Sequence, residues 1–453
     1  MQRIKASFRD PSGRVFEENG KILRTVTKYY RPHYDALMSF GLYKELTGAG
    51  LLVPHEELES VPNGCYKLIS PRKIEFISYP YEWPFSLLKD AALLTLDIMA
   101  RALKHGMWLK DASAYNVQLE NGKPVFIDTL SFETREKGLP WVAYGQFCRH
   151  FLAPLLLMAH TDLRLQALFL GYPDGIPLNL ASKLLPKSTR FKPGIALHIH
   201  MHANMIEKSA ADMKAMERIA KDNAMDTVPG IVDSLKSLVQ SIKFPGQVTE
   251  WGDYYHNTNY SDAAFRSKHD IVGRFAEAVK PCQALDLGAN DGTFSHVAAE
   301  HAGCVVSADI DPVAVESNYI SLRKATGNIV PLLLNLTNPT PGMGFANEEW
   351  QSFADRLDCD LVLALGLIHH VCISNNVPLE LFAEYLAKLG RYVILEFVPK
   401  ADSNAQRLLA TRKDIFPGYT REGFEAEFGK FFEFIGSKAV EQSERTIYLL
   451  KRK

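Results

Sequence analysis

The period of the hydrophobic pattern changes partway along the chain. Near the start, apolar and polar positions alternate around "EENGK", which predicts a hairpin of residues 14–17 and 21–27 turning at Asn19-Gly20. "HYDALMSFGLYKELTGAG" then spaces its apolar residues like one amphipathic helix ending on glycines. "YKLISPRKIEFISYPYEW" reads as strands running into a linker at Pro80 and Pro84, and "SLLKDAALLTLDIMARALKHG" as a long helix stopped by Gly106. Helical spacing continues to about residue 240, broken by a Pro/Gly-rich piece at 171–194. From about 282, short apolar runs ("QALDLGA", "CVVSADI", "IVPLLLNL", "CDLVLAL", "GRYVILEFV") alternate with helical stretches. That alternation predicts an α/β fold, a parallel sheet with crossover helices, preceded by an α+β region. The two patterns divide the chain into residues 1–240 and 250–453, with the boundary at 241–250.

Composition narrows the setting. A chain of 453 residues is long enough for two domains, each with its own core. Lys plus Arg number 51 against 52 acidic residues, so no global basic field points to nucleic acid or an anionic membrane. The cysteines (65, 148, 282, 304, 359 and 372) show no CxxC or metal spacing and read as reduced thiols. "MQRIKASFRD" has no apolar signal region, and the most apolar run, "FLAPLLLMA", is far shorter than the ~20 residues of a membrane helix. The expectation is a cytoplasmic protein without a transmembrane segment.

The strongest chemical signal is "ALDLGANDGTFSHVAAEHAGCVVSADIDPVAVE", residues 284–316. A buried strand enters a glycine turn and then a helix, and Gly288 and Gly292 let backbone approach a ligand closely. Asp309 and Asp311 follow the next strand at the distance where a carboxylate meets ribose hydroxyls. The spacing alone would also suit a dinucleotide. The DLGANDG form, with Asp286 before the turn, resembles the class I S-adenosylmethionine (SAM) methyltransferases over nearly all of 250–453. The resemblance implies a Rossmann-like sheet and SAM as cofactor. It assigns the amino-acid end of SAM to Asp286, Gly288, Asn290 and Gly292, the ribose to Asp309 and Asp311, and the adenine to Asn335. The upstream "WGDYYHNTNYSDAAFRSK" resembles the lead-in of some of these enzymes and adds Trp251, Tyr254, Tyr260 and Lys268 as candidates for covering the cofactor.

Methyl transfer needs alignment and desolvation more than elaborate catalysis, but a hydroxyl acceptor also needs a base. "LALGLIHHV" brings His369 and His370 to the ligand-bearing end of the fourth strand, and Glu396 follows "YVIL" on the fifth. A phosphate acceptor would need no base and would favour cations such as Arg391, Lys400 or Arg407.

In the first half, "LKDASAYNVQLENGKPVFIDTLSF" sets Asp111, Asn116 and Asp128 in a D-x4-N…D pattern around a hairpin. This resembles the aminoglycoside- and choline-kinase branch of phosphotransferases. The resemblance implies Asp111 as the catalytic group that orients or deprotonates the acceptor hydroxyl, and Asn116 and Asp128 as Mg2+ ligands with ATP. It also implies Arg24 as a phosphate-binding residue, with Glu45 as its ion-pair partner. The departures are Lys110 before the aspartate, "DPSGRVFEENG" in place of a glycine-rich loop, and Thr129-Leu130 after Asp128. They leave open a degenerate module that only grips a substrate. "LHIHMHAN" alternates His198, His200 and His202 with no fourth ligand and reads as a polar face.

The pairing of halves resembles two bacterial groups. One is the methyltransferases of host-specific nodulation, and the other the enzymes that end O-antigen chains with a phosphate and a methyl group. The implied function is O-methylation of a glycan, glycan-phosphate or lipid-linked small molecule, with a first domain that binds or phosphorylates it. The alternative is a pseudokinase scaffold whose methyltransferase half modifies a bound protein or RNA, although no strong nucleic-acid signal is present.

Overall fold

The computed structural model describes residues 2–136, 138–209, 226–246, 261–324, 327–410 and 413–453. Trp251, Tyr254 and Tyr260 lie outside the described residues. The chain forms two compact units, Met1–Gly246 with Met343–Trp350, and Gln247–Gly342 with Gln351–Lys453.

In the first unit, β1 (Gln2–Arg3), β2 (Val15–Glu18), β3 (Lys21–Thr27), β4 (His55–Leu58) and β5 (Cys65–Pro71) form an antiparallel sheet in the order β1-β2-β3-β5-β4. The β2–β3 hairpin turns on Asn19 and Gly20, both at positive φ, as Asn-Gly turns prefer. The predicted helix over "HYDALMSFGLYKELTGAG" is two helices, Arg31–Ser39 and Leu42–Gly48. Gly41 between them takes a left-handed conformation (φ +84°) that a continuous helix does not contain. Only "CYKLISP" of the next predicted strands pairs. The helix Phe85–Lys104 buries most of its length. After it come β6 (Met107–Leu109), β7 (Val117–Glu120), β8 (Lys123–Phe126) and β9 (Phe132–Thr134), which pair as β6-β9 and β7-β8 ribbons. The short segment Met343–Trp350 is held in this unit by Arg9, paired at two points with Glu349 (2.6 and 2.9 Å), and by Trp350 stacked on Tyr115.

The second unit contains β10 (Gln283–Leu287), β11 (Cys304–Asp309), β12 (Ile329–Leu333), β13 (Cys359–Ala364), β14 (Gly390–Phe397), β15 (Phe432–Ala439) and β16 (Thr446–Arg452). Their order is β12-β11-β10-β13-β14-β16-β15, with β16 antiparallel to both neighbours and the rest parallel. This is a Rossmann-like α/β sheet. Every residue of β10 and β11 is buried, as strands covered on both faces require. The helix Asp262–Val279 supplies Ile271, Val272 and Ala276 to a core shared with Ala284, Val305, Leu361, Ile394 and Ile447. The strand order reverses between β10 and β13, so their carboxyl ends diverge and leave a crevice there.

Candidate active site

A cavity of about 290 Å³ occupies that crevice. Gly288 from the end of β10, Asp309 and Ile310 from the end of β11, and Leu334 to Thr337 after β12 form one side. Leu365 to Leu367, His370 and Asn375 after β13 form the other, with Lys268 from the helix Asp262–Val279.

The turn after β10 explains its glycine. Gly288 sits at φ +71°, and a β-carbon there would lie 3.1 Å from Leu367 across the cavity. Asn290 also adopts positive φ (51°), a conformation its short polar side chain tolerates, and it lines the cavity. Gly292 has a different task. It starts the helix Thr293–Ala299, and a β-carbon there would collide with the Asn318 side chain at 2.5 Å. It permits packing rather than ligand approach.

Asp309 is the carboxylate of the cavity wall. Its two oxygens accept the Asn290 and Asp311 N–H groups, each at 2.8 Å, which fixes both the glycine turn and the carboxylate plane. Burial pushes its pKa up, and these backbone donors hold it down. Asp311 does not share that task. Its carboxylate caps the helix Pro312–Leu322 by accepting from Val313 and Ala314. Asp286 is likewise withdrawn from the cavity. It is buried beneath the turn, accepts from the Ser295 hydroxyl at 2.7 Å, and burial raises its pKa to about 7. Asn335 lines the cavity, but its carbonyl oxygen is engaged by Thr337.

Glu396 is not placed as a base. It is fully buried on β14, 2.9 Å from Lys268 and 3.8 Å from Arg445, and Arg445 in turn binds Asp402 at two points (2.7 and 3.0 Å). A carboxylate held between two buried cations is stabilised as an anion and is a poor proton acceptor. Lys268 borders the cavity while spending one contact on Glu396. Gly366, which also lines the cavity, sits at φ +61°, a left-handed conformation that favours glycine.

The two histidines separate by burial. His369 is 1% exposed, does not line the cavity, and neither ring nitrogen has a hydrogen-bonding partner among the described residues. His370 begins a π-helical turn, His370–Ser374, and borders the cavity. Burial, with Arg445 nearby, lowers its pKa to about 4, so its imidazole is neutral at physiological pH.

Sequence reasoning missed Ile310, Leu367, Gly366, Arg445 and Asp402. Ile310 carried a signal: it is an apolar residue between two acids, and the structure leaves it 56% exposed on the cavity wall.

In the first unit, Asp111, Asn116 and Asp128 each have protein partners. Asp128 accepts from Leu130 N–H and Ser131 hydroxyl and pairs with Arg24 at 2.7 Å, while Asn116 donates to the same Ser131. Arg24 pairs with Asp10 (2.6 Å) as well as Asp128, not with Glu45, which binds Arg101 and His105 instead. Lys110 reaches Ser12 (2.5 Å) and Asp10 (3.5 Å). Asp111 accepts from Ser113 N–H and the Gln146 amide. Among the described residues no three His, Cys, Asp or Glu side chains are grouped to hold a metal. His198 and His200 are each bonded at both ring nitrogens to hydroxyl groups. No helix among the described residues is long and apolar enough to cross a membrane.

No protein-family model matches the chain. It is 32% identical over 459 residues to the nodulation protein NoeA of Rhizobium meliloti (strain 1021), covering 99% of this chain and 96% of that one. Among solved structures it is similar to the N-methyltransferase NodS of Bradyrhizobium japonicum WM9 (11% identity, TM-score 0.32, 42% of this chain and 98% of that one). It is also similar to magnesium protoporphyrin IX methyltransferase of Synechocystis PCC 6803 (17% identity, TM-score 0.31, 44% and 90%).

Proposed function

Because the chain belongs to the family of the nodulation protein NoeA, we propose that it is a SAM-dependent methyltransferase whose acceptor is a hydroxyl or phosphate of a glycan or glycan-like, lipid-linked molecule. The observation that carries this reading is the cavity at the strand-order reversal, where the open backbone of Gly288 faces an oriented carboxylate, Asp309. The residues suit SAM. Asp309 would accept from the ribose hydroxyls, and Ile310 and Leu336 would give apolar contact to the adenine. Gly288 and Asn290 leave room for the charged amino-acid end. Bound there, SAM supplies a methyl carbon made electrophilic by its sulfonium. The chain then has to align the acceptor, exclude water and, for a hydroxyl acceptor, take up its proton.

His370 is the proposed base: its imidazole stands neutral at the cavity edge, although burial makes it a weaker proton acceptor than an exposed histidine. Its replacement separates the two acceptor classes. With a hydroxyl acceptor, His370→Gln lowers kcat by about 10²–10⁴; with a phosphate acceptor, already an anion, kcat changes little. Transfer of labelled methyl from SAM to glycans, with and without terminal phosphate, tests the reading. Label on either class supports it. Label on protein or RNA, with none on glycans, refutes it.

We read the first unit as a kinase-like module that recognises the acceptor without phosphorylating it. The ion pairs of Arg24 with Asp10 and Asp128 support this, because they occupy the groups that would bind phosphate and metal.

A further inference from the structure

The methyl-transfer reading leaves one surface of the first unit without a task. After the helix Leu178–Leu184 the sequence runs "KLLPKSTRFKPG" over residues 183–194, with four cations and no acid, although the whole chain carries a net charge of −1. Lys183, Lys187, Arg190 and Lys192 are all exposed, and none is ion-paired among the described residues. Between the last two stands Phe191, 88% exposed, and Leu184, Leu197 and Met201 are exposed nearby in sequence.

This stretch is anchored. Leu185, Thr189 and Ile195 are buried. The Thr189 hydroxyl bonds the Pro186 carbonyl at 2.6 Å and His200 Nε2 at 2.9 Å, while His200 Nδ1 meets the Ser182 hydroxyl at 2.8 Å. One histidine of "LHIHMHAN" therefore pins the segment from inside and leaves the cations and the phenyl ring outside. Lys192 also borders a cavity of about 500 Å³ whose walls include Leu156, Ile195, Leu238 and Phe244.

Exposed cations alone are an ordinary solvated surface. A water-facing phenyl ring on an anchored segment, flanked in sequence by cations and aliphatic side chains, matches the chemistry of a bilayer interface. There apolar groups enter the acyl boundary while Lys and Arg meet lipid phosphates. Aliphatic neighbours give nothing to stacked bases, which favours lipid over nucleic acid. We propose that residues 183–194, with Leu197 and Met201, are a docking face for an anionic phospholipid bilayer.

The test uses the full chain and vesicles of phosphatidylcholine with or without phosphatidylglycerol, read by co-sedimentation. Partition onto the anionic vesicles exceeds that onto neutral ones by about tenfold or more and falls as salt is raised. The triple variant Lys187→Glu, Arg190→Glu, Lys192→Glu abolishes the preference. Phe191→Ser keeps every cation yet weakens partition by about tenfold, because the ring no longer enters the apolar layer. Unchanged circular dichroism and melting temperature show that both variants fold. Equal partition onto neutral and anionic vesicles overturns the proposal. So does a response to charge reversal with none to Phe191→Ser, or binding of an RNA oligonucleotide that outcompetes the vesicles.

Discussion

At the scale of single residues, the glycine turn was legible because its demands are local. Positive φ at Gly288 and an acid after the next strand leave marks in the sequence that need no tertiary knowledge. What the pattern could not separate was which carboxylate faces the cavity, because Asp286, Asp309 and Asp311 occur within one motif and differ only in burial and partners. Asp286 makes that difference measurable. Burial raises its folded pKa from the ordinary 3.8 to about 7, with Ser295 and Lys268 pulling it down and Asp309 and Asp291 pushing it up. The folded state therefore keeps a proton that the unfolded chain has released, and this group's contribution to stability declines as pH rises from about 4 to about 7. Asparagine mimics the protonated form. Asp286→Asn should melt above the wild type at pH 8, with the difference closing toward pH 4; equal differences at both pH values would show that the buried carboxyl does not titrate this way.

At the scale of elements, alternation in the second half gave the sheet, because strands buried on both faces are written as unbroken apolar runs. The split at Gly41 was harder to read, since the apolar spacing continues across the kink while the left-handed residue belongs to neither helix. The network joining the helix Asp262–Val279 and β14 to Arg445, just before β16, through Lys268 and Glu396 was not legible, because its members lie far apart in sequence. Breaking a buried ion pair by removing one partner destabilises by about 3–5 kcal/mol. Glu396→Gln should therefore lower the unfolding free energy by that order in denaturant titration at neutral pH. A loss below about 1 kcal/mol would mean that Lys268 and Arg445 are satisfied without it.

At the scale of the whole molecule, the division into a helical, partly antiparallel half and a parallel-sheet half could be read from the change in hydrophobic period. The inclusion of Met343–Trp350 in the first unit could not, because contacts such as Arg9–Glu349 span most of the sequence. The kinase-like spacing was visible, but the sharing of Arg24 by Asp10 and Asp128 was not, because spacing does not record which side chains pair. Calorimetry of the full chain with ATP and Mg2+ should accordingly show no binding, and a saturable Mg2+-dependent heat would restore phosphoryl transfer to the first unit. The central claim is the methyl-donor site at the end of β10. Titrating SAM into the wild type and Asp309→Asn tests it most directly. The account predicts saturable binding to the wild type, weakened about 10- to 100-fold in the variant through the loss of a charged acceptor. No binding by the wild type, or equal affinity in the two proteins, would contradict it.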